Sequence, residues 1–457
     1  MAGLCAATEL VRSGYDVTVL EATGVAGGRV QTIREPFSQG LWAEAGAMFL
    51  NSSHTMTLEY AEHLGLKLGS LEVYATGTSL YYVKGRRIVW PPEAAKRQSV
   101  DWPYPLTPAE RQMGYAGMMQ RYCFGGSALN APETAGTGWP PGEILHFDQM
   151  TFTDFMRMNG ASQGAVDLLS VGYFTELGDG PAYCSALMML YDAQCLSNNP
   201  DSMQVLGGND GYPKAMAKPL SAHIHYGAEV TSISQTADKV VITANSKGRQ
   251  EQVEGDYAIC ALPLLVLRNL GVSPPFSPSK QQVVSDMLYT DATRVMLEFS
   301  EAFWEKEGLY GLVVTDIEGM VVYPQPSQPG PGGILNVLQC GSGARIMATR
   351  SEKERIQFTL KQLTKFYPQA KDYFVRAVTK VWQFDPLAGG SHNWFEPQQM
   401  TSWLPAMQQN EGRIYFAGDH VSPYPGWIEG ALQTAYAAAR EISVLASASA
   451  AAAAKGA

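Results

Sequence analysis

Apolar positions in the opening stretch MAGLCAATELVRSG recur at helical spacing. Leu4, Ala7, Leu10 and Val11 share one face, and Gly14 stands where a helix C-cap glycine belongs. The pattern then changes to DVTVL (16–20), a short apolar run typical of a buried parallel strand. Helix followed by strand within so few residues is half of a βαβ unit. GGNDGYPKAMAKPL (207–220) reads as a turn and a helix start. The stretch 228–263 alternates with period two between turn breaks, so it predicts an antiparallel meander feeding back into a strand. The chain closes on a third strand-turn-helix at 413–442. Between these lie a mostly helical stretch (about 105–200) and a strand-rich one (about 290–400). The Pro/Gly runs TAGTGWPPGE and PQPSQPGPGG mark surface loops within them.

This organisation predicts one α/β, Rossmann-like domain assembled from residues 1–80, 203–288 and 408–446. A second, α+β domain occupies 81–202 and 289–407, interleaved with the first. The low-complexity run 447–457 reads as a frayed helix extension or a disordered tail, and a disordered tail is the expectation taken here.

Composition narrows the function. Apolar residues make up 46% of the 457 and charged residues 17%, enough for a large core. A net charge of −10 argues against a nucleic-acid partner. No run of about 18 or more apolar residues is present to span a bilayer, and no signal-peptide pattern is visible from Met1, where the start of the chain is itself suspect. The six cysteines are scattered without a CxxC pair, so they read as reduced core thiols and no metal set is expected. The expectation is a soluble, cytoplasmic protein.

The candidate chemistry starts at VTVLEATGVAGGRV (17–30). A carboxylate at the end of a Rossmann strand can accept hydrogen bonds from adenosine ribose hydroxyls, and Glu21 occupies that place. Gly27 and Gly28 allow the backbone close to a phosphate, and Arg29 can fork onto pyrophosphate oxygens.

With EATGVAGGRV, the segments GLWAEAGAMFL, AFWEKEGLYG and YFAGDHVSPYPGWIEGALQTA resemble the flavin amine oxidase family of monoamine, polyamine and L-amino-acid oxidases. The spacing around GAM and EGLYG resembles the L-amino-acid oxidase branch more than the animal monoamine oxidases. The resemblance runs from Met1 to about Ile442 and implies an FAD enzyme of two interleaved domains. It implies FAD contacts at Gly3, Gly46, Ala47, Met48, Val230 and Gly418, and at Asp419 on the ribityl chain. It places Trp382 near the isoalloxazine. A helix beginning at Gly426 would aim its free N–H groups, with Trp427 and Ile428, at the flavin N1/O2 edge. Trp427 would form one wall of the substrate site, with His392 where monoamine oxidases have a second aromatic wall.

Three positions depart from the family pattern. Ser391 stands where covalently flavinylated relatives have cysteine, so non-covalent FAD is expected. Arg294 stands where the family usually has a lysine near flavin N5, and arginine is charged at all accessible pH. Phe49 follows GAM where L-amino-acid oxidases often place a carboxylate-clamping arginine. Gly3 falls where the third glycine of GxGxxG would be, with no first strand and first two glycines before it, so a truncated or mis-started chain is expected.

The implied reaction is oxidative deamination of an L-amino acid or primary amine, with O2 as second substrate and hydrogen peroxide as product; Arg294, Trp427 and His392 are the candidate catalytic residues, and a homodimer is an open expectation. Two alternatives share part of the pattern. One is a flavoprotein desaturase or isomerase, and the other is a non-catalytic remnant that binds FAD weakly.

Overall fold

The first helix, Ala2–Arg12, buries Ala2, Leu4, Cys5, Ala6 and Ala7. It ends at Gly14, whose φ of +84° suits a residue without a Cβ and whose N–H reaches the Val11 carbonyl at 3.0 Å. The computed structural model describes residues 1–38, 40–71, 77–124, 142–197, 201–326 and 330–456. The expected loop at 134–143 lies almost wholly outside them, as does the middle of the one at 324–333.

The strand Val19–Glu21 pairs in parallel with Ile224–Tyr226, and Ala258–Cys260 pairs in parallel with Ile414–Phe416. These are two separate ladders of the α/β layer. The expected meander is present: Ala228–Gln235, Val240–Ser246 and Arg249–Gly255 run antiparallel in succession. Its second turn is the two-residue Lys247–Gly248, both at positive φ, the geometry that matches strand twist in a tight hairpin. The C-terminal helix Ile428–Gly456 lies against the first helix, where Cys5 Sγ sits 3.6 Å from the Leu432 carbonyl oxygen. It begins two residues later than expected, and the run expected to be a disordered tail continues it to Gly456.

The second layer is a seven-stranded sheet in the order Phe374–Val381, Ala292–Phe299, Gly333–Cys340, Met320–Gln325, Val313–Thr315, Ser79–Val83, Arg86–Trp90. The boundary expected at 80/81 therefore falls inside a strand. Ser79–Val83 joins the sheet through parallel pairing with Val313–Thr315, and the Lys84–Gly85 turn, again at positive φ, returns the chain as its edge strand. Strand alternation gives this sheet two different faces. Val295, Leu297, Phe299, Leu335 and Val337 pack with Phe303, Phe366 and Tyr367 into one core. The other face carries Ala292, Val321, Tyr323, Leu338 and Cys340, and packs with Met48, Trp382 and Ala388. A larger core surrounds the helices of 152–197, including Phe152, Phe155, Leu187 and Met188. Among the described residues no helix is long and apolar enough to cross a membrane.

Candidate active site

The second face of the sheet and the α/β layer enclose a single cavity of about 1380 Å³. That exceeds the roughly 300–1,000 Å³ of ordinary small-molecule sites. All the residues singled out from the sequence line it: Gly3, Glu21, Gly27, Gly28, Arg29, Gly46, Ala47, Met48, Val230, Arg294, Trp382, His392, Gly418, Asp419, Gly426, Trp427 and Ile428.

Glu21 ends its strand with a carboxylate that accepts the Thr23 N–H and hydroxyl, each at 2.8 Å. The loop that follows folds back, with Val30 N–H on the Gly27 carbonyl. It then runs beside Ala45–Ala47, with Ala47 N–H on the Arg29 carbonyl at 3.1 Å. This approach is close enough to dictate a residue: a Cβ on Gly46 would lie 1.8 Å from the Arg29 carbonyl oxygen. Two side chains pin the segment through three of its carbonyls. Trp382 Nε1 donates to the Ala45 carbonyl at 2.7 Å, and Asn209 Nδ2 donates to the Ala47 and Met48 carbonyls at 3.0 Å. Glu44 takes the Asn209 N–H at 2.6 Å, and burial pushes its carboxyl up to about 7, partly offset by the Asn209 and Thr32 hydrogen bonds.

Arg29 reaches across to the C-terminal segment. Its guanidinium pairs with both oxygens of Asp419 and also donates to the Ser391 carbonyl. Gly426, expected to open the helix, instead turns its N–H onto Asp419 Oδ2 at 3.0 Å, and the helix proper starts at Ile428. Glu429 in its first turn takes the Met56 and Thr57 N–H groups. The acidic residue that opens the helix is thus spent on the Thr55–His63 helix, away from the cavity.

His392 packs its ring against Gly426, with Nδ1 at 3.2 Å from Ser391 Oγ and Nε2 at 3.2 Å from Thr290 Oγ1. Burial lowers its pKa to about 4, so it is neutral at neutral pH. The ring set edge-on to Trp427 is His54, at 4.8 Å and 68°.

Arg294 projects from the Ala292–Phe299 strand into the cavity, with Nη1 3.9 Å from Met48 Sδ. Around it stand residues that the sequence reading did not single out. Tyr323 packs edge-on to Phe49 at 5.4 Å and 66°, and its hydroxyl donates to Glu176. Burial raises the Glu176 carboxyl to about 7 against the opposing effects of the Tyr323 hydrogen bond and the Arg294 charge. Asp192 accepts Trp427 Nε1 at 2.8 Å. Asp192 had a legible signal, a lone carboxylate in the apolar run ALMMLYDAQC; Glu176 had none. The five described cysteines are buried and free.

The whole arrangement has relatives. Residues 1–443 match the family described as flavin containing amine oxidoreductase. YobN of Bacillus subtilis (strain 168), provisionally named an L-amino-acid oxidase, is 30% identical over 97% of this chain and 93% of its own. The L-amino-acid oxidase of Demansia vestigiata is 27% identical over 97% and 85%. Cyclohexylamine oxidase from Brevibacterium oxydans IH-35A superposes with a TM-score of 0.80 at 20% identity, covering 98% of this chain and 97% of that one. Putrescine oxidase bound to putrescine does so at 0.80 and 20%, with 96% of each chain covered. At that identity the two structures speak to the fold alone.

Proposed function

Since this chain belongs to the flavin-containing amine oxidoreductases, we propose that it holds FAD without a covalent link and oxidatively deaminates an L-amino acid or primary amine. The observation that carries the reading is the single cavity, continuous from Glu21 to Trp427 and Arg294. The residues present fit a dinucleotide: the strand-end carboxylate Glu21, the Gly27–Gly28–Arg29 loop and Asp419 all line a cavity of about 1380 Å³, larger than an ordinary small-molecule site.

Glu21 would accept from the ribose hydroxyls, Arg29 would bridge pyrophosphate and Asp419, and the Ala45–Met48 strap would lie along the ring system with Trp382 behind it. Ser391 offers no thiol for a tether. Bound flavin supplies the two-electron oxidant and, on reoxidation by O2, hydrogen peroxide. The chain's own residues do the positioning. Trp427 and the apolar sheet face, including Leu338, line the cavity, so a substrate C–H would be presented against apolar walls. Arg294 places a permanent cation there, and His392 stays neutral beside the Gly426 turn. The substrate leaves as an imine, which water hydrolyses to carbonyl and ammonia. No side chain is assigned as a strong base.

A desaturase or isomerase would share the Glu21-to-Arg29 pattern. Trp427 in the cavity and the oxidase names of the relatives favour the oxidase. The test is an absorption spectrum of the purified protein, acid precipitation, and a peroxide assay over amines and L-amino acids. Flavin that is released intact by acid, together with peroxide formation, supports the reading. Colour retained by the precipitate overturns the non-covalent assignment. A flavin that no amine or amino acid bleaches anaerobically overturns the reaction.

A further inference from the structure

We propose that His54 and Asp192 are positioning residues for the reaction: together they hold the Trp427 ring in one orientation, and so set the wall against which the substrate is presented. This rests on the oxidase reading above and adds to it two side chains that act through that wall.

Trp427 stands at the joint between the Gly426 turn, where φ is +88°, and the helix that starts at Ile428. Its backbone place leaves the side-chain torsions to be chosen by contacts. The indole has a single hydrogen-bond donor, and Asp192 Oδ1 takes it at 2.8 Å. Asp192 is 1% exposed on the helix Ala186–Ser197, whose Leu187, Met188, Met189 and Leu190 are buried in the core. An acceptor on so firm a support gives the indole N–H one direction to point.

His54 meets the same ring edge-on, with centroids 4.8 Å apart and planes at 68°, a favoured geometry for two rings. It is buried and stands outside the cavity lining, so it reaches a substrate only through Trp427. The His54 ring is itself fixed. Nδ1 accepts the Asn51 N–H at 3.2 Å, and the His54 N–H donates to the Asn51 carbonyl at 2.9 Å. Burial lowers its pKa to about 4, so it packs as a neutral ring.

Glu429 fastens the two segments together. From the first turn of the helix after Trp427, its carboxylate accepts the Met56 and Thr57 N–H groups and the Thr57 hydroxyl. The approach of His54 to Trp427 is thus set by hydrogen bonds only two or three residues from each. A reacting carbon displaced by about 1 Å loses on the order of a hundredfold in rate, so a ring free to swing is costly to the chemistry.

The experiment is a double-mutant cycle with two readouts. The first is the limiting rate at which the flavin-loaded enzyme is bleached anaerobically by whichever amine or L-amino acid bleaches it fastest. Asp192→Leu is expected to lower that rate by about tenfold or more. Asp192→Asn, which keeps the acceptor, should recover most of the loss. In a Trp427→Phe background, which has no indole N–H to anchor, Asp192→Leu should change the rate by less than about twofold. His54→Leu should also slow reduction, and His54→Phe, which keeps a ring, should recover most of it. Reoxidation by O2 and bound flavin per chain should change far less. The second readout is near-ultraviolet circular dichroism of the flavin-free protein, which reports rings held in fixed surroundings. Trp427→Phe removes the band of that ring; Asp192→Leu should remove much of the same band, and the two together no more than Trp427→Phe.

A loss from Asp192→Leu that persists in the Trp427→Phe background overturns the proposal, because Asp192 then acts on the substrate directly. Equal losses in both half-reactions with less bound flavin overturn it too, because the two side chains then serve the fold. Should Asp192→Leu not fold, His54→Leu carries the test, and an unaltered reduction rate there is decisive against it. A wild-type flavin that nothing bleaches defeats the oxidase reading, while the dichroism cycle still decides whether Asp192 holds the ring.

Discussion

Arg29 and Asp419, 390 positions apart, meet as a forked ion pair: Nη1 lies 3.0 Å from Oδ2 and Nη2 bonds Oδ1. The same Oδ2 takes the Gly426 N–H at 3.0 Å, so one carboxylate joins the glycine loop to the C-terminal turn. Burial by itself would raise the Asp419 pKa, but the Arg29 charge, His420 and these hydrogen bonds pull it down to about 2.

Asp419→Asn breaks that pair while keeping the shape. It is expected to lower stability by up to about 3–5 kcal/mol, the cost of leaving a buried partner uncompensated. It should weaken FAD binding as well. The pH dependence supplies a second check. A carboxylate whose folded pKa is depressed contributes stability above its unfolded value near 4, and that contribution disappears as pH falls towards 2. Melting temperatures of the wild type and the variant should therefore converge between about pH 4 and 2. Parallel curves would show that Asp419 is not the group responsible.

Glu21→Ala should loosen FAD by about 1–3 kcal/mol, the scale for a lost charged hydrogen bond. Because Glu21 also holds the Thr23 N–H and hydroxyl, the flavin-free protein should lose some stability too. Fluorescence titration with FAD measures the first effect and thermal melting the second. An unaltered FAD affinity removes Glu21 from the ribose site.

At Gly46 a methyl group is enough. The added Cβ would lie 1.8 Å from the Arg29 carbonyl oxygen, so backbone must move. Gly46→Ala is expected to cost at least the roughly 1–3 kcal/mol of ordinary overpacking and to reduce the bound flavin per chain. Gly24→Ala is the control: it meets nothing within 4 Å and should leave both quantities nearly unchanged.

Arg294→Met removes the fixed cation from the sheet face. Rapid-mixing measurements should show flavin reoxidation by O2 slowed about tenfold or more, since a preorganised charge no longer faces the negative charge that develops. Anaerobic reduction by a monoamine should change far less, and Arg294→Lys should restore most of the oxidative rate. If neither half-reaction responds, the role of Arg294 is to shape the wall beside Met48.

Much of this protein is written in local pattern. The helical spacing of Leu4, Ala7 and Leu10, the glycine at position 14, and the period-two alternation within 228–263 each specify a structure through neighbours a few residues away. They appear as expected. The motif segments around Glu21, Gly46 and Asp419 likewise carry their own turns, and all come to line one cavity. Contacts across the chain had no such signature. Ser79–Val83 looks like any hairpin strand, yet it joins the seven-stranded sheet, because parallel pairing with Val313–Thr315 is decided by the packing of whole layers. The edge-on contact of His54 with Trp427 had no signature either, since His54 comes from the segment before the Thr55–His63 helix. Glu176 and Asp192 acquire their meaning only from Tyr323 and Trp427, 147 and 235 positions away. Sequence by itself determined the elements and the motif segments that line the cavity, since those rest on short-range hydrogen bonding and periodicity. Tertiary structure decided which side chains meet across the cavity, since burial and long-range approach set what a carboxylate pairs with there.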